Sequence, residues 1–273
     1  MNDLLNNPLF QSALLPFLVS LVALFVLRPL GWFWAGLAGV IGFAATVYLL
    51  TDFQFFPLRS DRKILLLGTG GILLGLLLDL LPWRRIVPWI LFIAAVGAAL
   101  WLVWPRFRFV EGGEFWSLAL AGPAYVAWLL LASEGLRNKP VQADSAVFAL
   151  ALGTGLSALL GATALYGQLA AAIAAAIGPR LLFQAAGKPV AAGSIMLVPL
   201  VAVIALLGLG AVVYAKLPWY SLTLLALIPA LIWVPLPANL PRLLHMAFTV
   251  MIALVPAGLA IFFTWRETGA PPI

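Results

Sequence analysis

The sequence predicts an all-helical protein that crosses a membrane about ten times. Of its 273 residues, 64% are hydrophobic and only 9% are charged, compared with roughly 45–50% and about 25% in a soluble domain. The apolar residues occur in runs of about 20, the length of helix that crosses about 30 Å of hydrocarbon. Because Leu, Ala, Ile and Val follow one another instead of alternating with polar residues, the pattern predicts a helical bundle rather than a β-barrel.

Hydropathy predicts ten spans in chain order. They cover approximately residues 9–27, 32–50, 64–81, 86–104, 116–131, 145–165, 168–186, 194–215, 219–234 and 243–265. The connections are short, and none can fold as a soluble domain. We therefore expect residues 1–273 to form a single transmembrane domain. No basic residue precedes the first apolar run, so we expect the first helix to be retained rather than cleaved.

The seventh predicted span is the least regular, because Gly178, Pro179 and Arg180 lie inside it. Proline removes a backbone hydrogen-bond donor, and an arginine at mid-depth costs about 2.5–3.5 kcal/mol on insertion scales. Residues 168–186 therefore either cross the membrane or form a short re-entrant or interfacial piece. The first alternative gives ten spans and the second gives nine.

The basic residues do not fix the orientation. With ten spans, one side carries seven of them: Arg59, Arg62, Lys63, Arg106, Arg108, Lys216 and Arg266. The other side carries eight: Arg28, Arg84, Arg85, Arg137, Lys139, Arg180, Lys188 and Arg242. The positive-inside rule cannot choose between such similar numbers. We attribute the near-balance to the uncertain seventh span, and we expect a multi-pass protein of a bacterial inner (plasma) membrane.

The formal net charge of +6 indicates contact with membrane lipids and not with nucleic acid. The basic residues occur singly or in pairs near the ends of the predicted spans, where they meet lipid headgroups.

Cysteine is absent and histidine occurs once, as His245. The lack of cysteine excludes disulfides, iron–sulfur ligation and thiol catalysis. A single histidine cannot form a bis-histidine haem site or a two-histidine metal site. His245 lies at the start of the last span, where we expect an interfacial residue or one ligand of a shared site. We therefore expect no metal, haem or flavin to be held by this chain alone. Nor do we expect enzymatic activity, because Glu111, Glu114 and His245 form no recognisable catalytic set.

Asp79 is the only acidic residue well inside a predicted span. A carboxylate within the membrane is by default a candidate proton or cation site. It lies near a helix end, so it can also reach water or pair with Arg84 or Arg85. Asp79, Arg180 and His245 together make up the candidate polar or transport site.

Four charged residues follow the fifth span and are predicted to lie in a solvated turn: Glu134, Arg137, Lys139 and Asp144. The spacing of Glu134 and Arg137 is that of an exposed ion pair on a helix surface.

Residues 161–178, GATALYGQLAAAIAAAIG, consist mainly of small side chains. Such residues let helix backbones approach closely, which is how membrane helices associate. We expect this segment to be buried against other helices, either as a packing core or as a face for a partner subunit. The residues assigned to that face are Gly161, Gly167, Gln168, Ala171, Ala175 and Gly178.

Residues 68–75 and 153–161 are similar glycine-rich stretches, separated by an offset of 85. If they belong to a repeat, two three-span units are inverted relative to each other, as in several transporters. Since Gly and Leu dominate both stretches, chance similarity is the alternative.

Two functions are compatible with these patterns. The first is a non-catalytic integral membrane subunit or scaffold of a larger membrane protein complex, with other membrane protein subunits as partners. The second is a small-molecule or ion transporter with an intramembrane polar site around Asp79.

Overall fold

The computed structural model describes residues 7–51, 57–80, 84–161, 163–188, 190–215, 217–234, 237 and 240–269. The described residues form helices and contain no strand, which confirms the all-helical prediction. The helices are α1 (Phe10–Leu30), α2 (Trp32–Thr51), α3 (Ser60–Leu80), α4 (Val87–Arg108), α5 (Gly112–Glu134), α6 (Pro140–Leu160), α7 (Ala164–Ala185), α8 (Ser194–Ala215), α9 (Trp219–Ile232) and α10 (Arg242–Thr268).

Within this described part, nine helices are long and apolar enough to cross a membrane, and the protein is therefore a multi-pass membrane protein. The seventh span is one of them: α7 is a continuous helix of 22 residues with Pro179 inside it, and not a re-entrant piece. The short helix is the ninth, because α9 has only 14 residues. The helix that is too short to count as a span is thus α9, and not the seventh, which the sequence left in doubt.

Helix α8 lies at the centre of the bundle. Of its 22 residues, 18 are buried, and it contacts α2 through α7 and α9. Its sequence is apolar all round, which is the pattern of a helix that meets protein on every side. The other helices are placed largely by their contacts with α8 and with one another.

Three glycines bring α3 close to α8. A Cβ atom on Gly68 would lie 2.5 Å from Val203, one on Gly71 would lie 2.9 Å from Pro199, and one on Gly75 would lie 2.5 Å from the carbonyl oxygen of Ser194. A real Cβ atom does not come this close to its neighbours, so the two helices can approach each other only because these residues are glycines. Gly68, Gly71 and Gly75 therefore form the face of α3 that packs on α8.

The second glycine-rich stretch packs differently. A Cβ atom on Gly153 would meet Leu225 and Ala257, which belong to α9 and α10, and one on Gly155 would meet Ala170 of α7. Gly153 and Gly155 of α6 thus face three helices, whereas Gly68, Gly71 and Gly75 of α3 face one. The similarity between the stretches does not extend to their contacts.

Two matched substitutions on α3 test this packing. Gly75→Ala places a Cβ atom 2.5 Å from the Ser194 carbonyl oxygen and 2.8 Å from the Ile195 Cα atom, and backbone atoms cannot swing aside. We expect a loss of about 1–3 kcal/mol in the free energy of unfolding. Gly70→Ala meets nothing within 4 Å and should gain roughly 0.5–1 kcal/mol from helix propensity. Equal melting temperatures of the two variants in detergent would contradict the described contact.

Candidate functional site

Two groups of buried polar side chains lie at the end of the bundle where α3, α5 and α7 finish and α6 and α8 begin. The Asp79 cluster consists of Asp79, Glu134, Arg137 and Ser194. The Arg180 cluster consists of Asp144, Arg180 and Gln184. Residues 190–195, which lead into α8, contact both clusters.

Asp79, in the last turn of α3, caps the N-terminus of α8. Its Oδ1 and Oδ2 atoms accept hydrogen bonds from the backbone N–H groups of Ser194 (3.0 Å) and Ile195 (2.9 Å). These N–H groups have no partner inside the helix, and the helix dipole favours a negative charge there. The carboxylate, whose side chain is completely buried, thus satisfies groups that lipid or apolar side chains could not.

The ion-pair partner of Asp79 is Arg137, whose Nη2 atom lies 2.8 Å from Oδ1. The prediction that Asp79 pairs with Arg84 or Arg85 is wrong, because both arginines are exposed and Arg137 occupies the position next to the carboxylate. Arg84 and Arg85 lie in the turn before α4, whereas Arg137 lies in the turn after α5 and reaches the end of α3.

The backbone before α8 is shaped to admit the Asp79 carboxylate. Gly193 adopts a φ angle of +68°, a region that residues with a side chain rarely occupy. A Cβ atom at this position would also lie 3.0 Å from Asp79 Oδ2. Glycine therefore meets both requirements.

Glu134, the last residue of α5, is joined to the same group. Its Oε1 atom accepts hydrogen bonds from Ser194 Oγ (2.6 Å) and from Arg137 Nη1 (3.1 Å). Its Oε2 atom is buried and has no hydrogen-bond partner among the described residues. The side chains of Glu134 and Arg137 are only 10% and 13% exposed, so the prediction of a solvated turn is wrong for this pair. Asp79 of α3 and Ser194 of α8 bond to these two side chains.

The Arg180 cluster joins α6 to α7. Arg180 Nε donates to Asp144 Oδ1 (3.0 Å) and Oδ2 (3.2 Å), and both side chains are completely buried. Gln184, one turn further along α7, donates from Nε2 to Asp144 Oδ2. Asp144 was also predicted in the solvated turn, and the structure corrects this: it lies in the second turn of α6.

The remaining Arg180 donors bind backbone carbonyl oxygens. Nη1 donates to Ala35 of α2 (3.1 Å), and Nη2 donates to Val190 (3.2 Å) and Ala191 (2.9 Å) before α8. A buried guanidinium is costly unless it is paired and hydrogen-bonded. Here both conditions are met, so the arginine that made the seventh span doubtful ties three segments of chain together.

His245 lies apart from both clusters, in the first turn of α10, and is half-buried. Its backbone N–H donates to the Pro241 carbonyl oxygen (2.9 Å), and its own carbonyl oxygen accepts from Thr249 Oγ1 (2.7 Å). In the part of the chain that the structure describes, no group of three or more His, Asp or Glu residues is placed to hold a metal ion. Of the three candidate polar residues, the structure brings Asp79 and Arg180 to the same segment and leaves His245 elsewhere.

The small-residue segment 161–178 divides into two faces, apart from Ala162, which lies outside the described residues. Gly161 and Gly167 are buried, and Gly167 packs on α6. Gln168, Ala171, Ala175 and Gly178 are half-buried and, at 100° per residue, share one face of α7. The expected burial therefore holds for the α6 face and only partly for the residues that were assigned to a partner.

Comparison with known protein families and with curated proteins finds no match for this chain. The chemistry of the site is accordingly argued from its charges. The Arg180 cluster has one carboxylate for one guanidinium, whereas the Asp79 cluster has two carboxylates for one guanidinium. The first connects two helices through a balanced ion pair. The second contains one carboxyl group more than its single guanidinium can balance.

The sequence did not indicate that the other residues of the two clusters form a buried site: Glu134, Arg137 and Asp144 were predicted in a solvated turn, and Gln184 and Ser194 were not singled out. One signal for the Arg180 cluster was available: Asp144 and Arg180 each lie 18 residues from position 162, midway between α6 and α7. An antiparallel hairpin places such positions at the same level. No comparable signal pointed to Ser194, whose role depends on the packing of α3 and α5 against α8.

A double-mutant cycle tests the Arg180 cluster. Asp144→Leu leaves a buried guanidinium without its counter-charge, and we expect it to lower the free energy of unfolding by about 3–5 kcal/mol. Adding Arg180→Met removes that charge, so the double variant should lose less than the sum of the single losses.

The control for this cycle is Arg106→Met with Glu114→Leu, the same exchange at an exposed pair 3.7 Å apart. Exposed pairs contribute little to stability, so we expect little change in its melting curve in detergent. Strict additivity at Asp144 and Arg180 would show that the two side chains do not interact as described.

Proposed function

We propose that the chain is a non-catalytic integral membrane subunit or scaffold of a larger membrane protein complex in a bacterial inner (plasma) membrane. The observation that carries this proposal is the set of hydrogen bonds that Asp79 and Arg180 make to the backbone. These are the charged side chains with which a solute site in the membrane would be built, and both are bound to the backbone of residues 190–195.

The bonding of the two side chains supports a framework role. Both oxygen atoms of Asp79 accept backbone hydrogen bonds, and all three nitrogen atoms of Arg180 donate to protein acceptors. A transport site has to release its solute, so its polar groups alternate between solute and other partners. Groups that hold the start of the central helix cannot be freed in this way without loosening the bundle.

The partners that we propose are membrane lipids and other membrane protein subunits. The half-buried face of α7 packs on Phe17 of α1 at Gly178, and we place a subunit contact on its remaining residues, Gln168, Ala171 and Ala175. Small side chains gain little from lipid but permit a close approach between helices, and Gln168 can hydrogen-bond across such a contact.

A small-molecule or ion transporter around Asp79 is the second candidate, and one observation favours it. The Asp79 cluster holds two buried carboxylates and one guanidinium. If both carboxylates are ionised, the cluster carries a net negative charge, which a transported cation or proton could neutralise.

Native purification separates the two candidates. In a mild detergent, a subunit should co-purify with at least one other membrane protein at a fixed ratio, measured by native mass spectrometry. A transporter should instead run alone or as a homo-oligomer and should move a solute after reconstitution into vesicles. Isolation as a monomer with transport activity would overturn the subunit proposal.

Leucine substitutions test the proposed contact face. We expect Ala171→Leu or Ala175→Leu to force an adjacent helix away, at a cost of about 1–3 kcal/mol, and to release the co-purifying subunit or lower the melting temperature. Ala124→Leu is the control, because Ala124 is exposed within α5 and added methylene groups there meet only acyl chains. Wild-type behaviour of both α7 variants would show that this face of α7 borders lipid.

A further inference from the structure

The charges of the Asp79 cluster do not balance when every group is ionised. Arg137 lies between two carboxylates: its Nη2 atom is 2.8 Å from Asp79 Oδ1, and its Nη1 atom is 3.1 Å from Glu134 Oε1. Ser194, the third neighbour, is uncharged. Among the described residues no other cation bonds to either carboxylate. An unpaired charge in such a buried place is strongly disfavoured, and titratable groups respond by becoming neutral.

The two carboxylates differ in how well they support a negative charge. Asp79 accepts two backbone N–H bonds at the N-terminus of a 22-residue helix and also faces Arg137. Glu134 receives its hydrogen bonds on Oε1 alone, and Oε2 is buried without a partner in the described part of the chain. The negative charge therefore belongs on Asp79, where donors and the helix dipole stabilise it.

We propose that Glu134 is a proton-binding site. At neutral pH its carboxyl group holds one proton, and the negative charge that balances Arg137 lies on Asp79, so that the cluster is electrically neutral. The charged or titratable groups that face Glu134 are Asp79 from α3 and Arg137 from its own turn, and α8 contributes the Ser194 hydroxyl. The ligand is a proton because a single oxygen atom suffices to bind it, whereas a metal cation needs several oxygen ligands. This proposal stands whether the chain is a subunit or a transporter.

Occupancy of this site affects the start of the central helix. Ser194 donates its hydroxyl proton to Glu134 and its backbone N–H to Asp79, so it connects the two carboxyl groups. Loss of the proton places two negative charges around one guanidinium, and their repulsion acts on the hydrogen bonds that hold Ser194. The proton is thereby coupled to the position where α8 begins.

Infrared spectroscopy of the wild-type protein tests the proposal without any substitution. A protonated carboxyl group has a carbonyl stretch that an ionised carboxylate lacks. We expect this band at neutral pH, and we expect heavy-carbon labelling of glutamate to shift it. Of the four glutamates in the sequence, the other three, Glu111, Glu114 and Glu267, are exposed. Absence of the band, or a shift on labelling aspartate instead, would overturn the proposal.

Matched variants identify the residue. Glu134→Gln imitates the protonated side chain, so it should remove the band and keep a melting temperature close to that of the wild type. Glu111→Gln makes the same change at an exposed position and should keep the band. Asp79→Asn should lower the melting temperature, because it removes the charge that caps α8.

Two results would contradict this assignment. A large loss of stability in Glu134→Gln together with a harmless Asp79→Asn would place the proton on Asp79. Stabilisation by sodium chloride relative to choline chloride, with no carboxyl band, would show that a metal cation neutralises the cluster.

Discussion

The backbone of residues 190–195 needs hydrogen-bond partners, and the arrangement of the charged residues follows from that need. This segment is not helical until Ser194, so its polar groups cannot all be satisfied within their own element, and buried unpaired groups are costly. Arg180 supplies donors to the carbonyl oxygens of Val190 and Ala191, and Asp79 supplies acceptors to the N–H groups of Ser194 and Ile195. Since α8 starts there, the central helix depends on both side chains.

The sequence predicted the helices well because lipid permits few alternatives. A backbone in hydrocarbon must bond within its own segment, so long apolar runs indicate helices whatever their neighbours are. The doubt about the seventh span came from treating Arg180 as an isolated charge. Its cost is offset by Asp144 on the adjacent helix and by three carbonyl oxygens, which hydropathy does not count. The shortness of α9 was visible in part, because its predicted span, residues 219–234, was already shorter than the roughly 20 residues of a typical span.

The candidate site was predictable only where it depends on local geometry. Asp79 was recognised because a carboxylate within an apolar run is unusual, but its partner Arg137 is 58 positions away along the chain. Glu134 and Arg137 have the spacing of an exposed helix pair, and that spacing is real: the two side chains do bond. They also bond to Asp79 of α3 and Ser194 of α8, which lie far away along the chain. Spacing along one helix carries no information about what packs over it.

The two clusters differ in what their charges accomplish. In the Arg180 cluster the charges match, so that neither Asp144 nor Arg180 can be lost without leaving a buried charge uncompensated, which fits a brace between α6 and α7. In the Asp79 cluster one carboxylate exceeds what the guanidinium and the helix N-terminus can stabilise. A brace alone would not need that second acid, because Asp79 already caps α8 and pairs with Arg137. Glu134 adds a second buried carboxyl group, whose Oε2 atom has no partner among the described residues, and the proton that we propose there removes its charge.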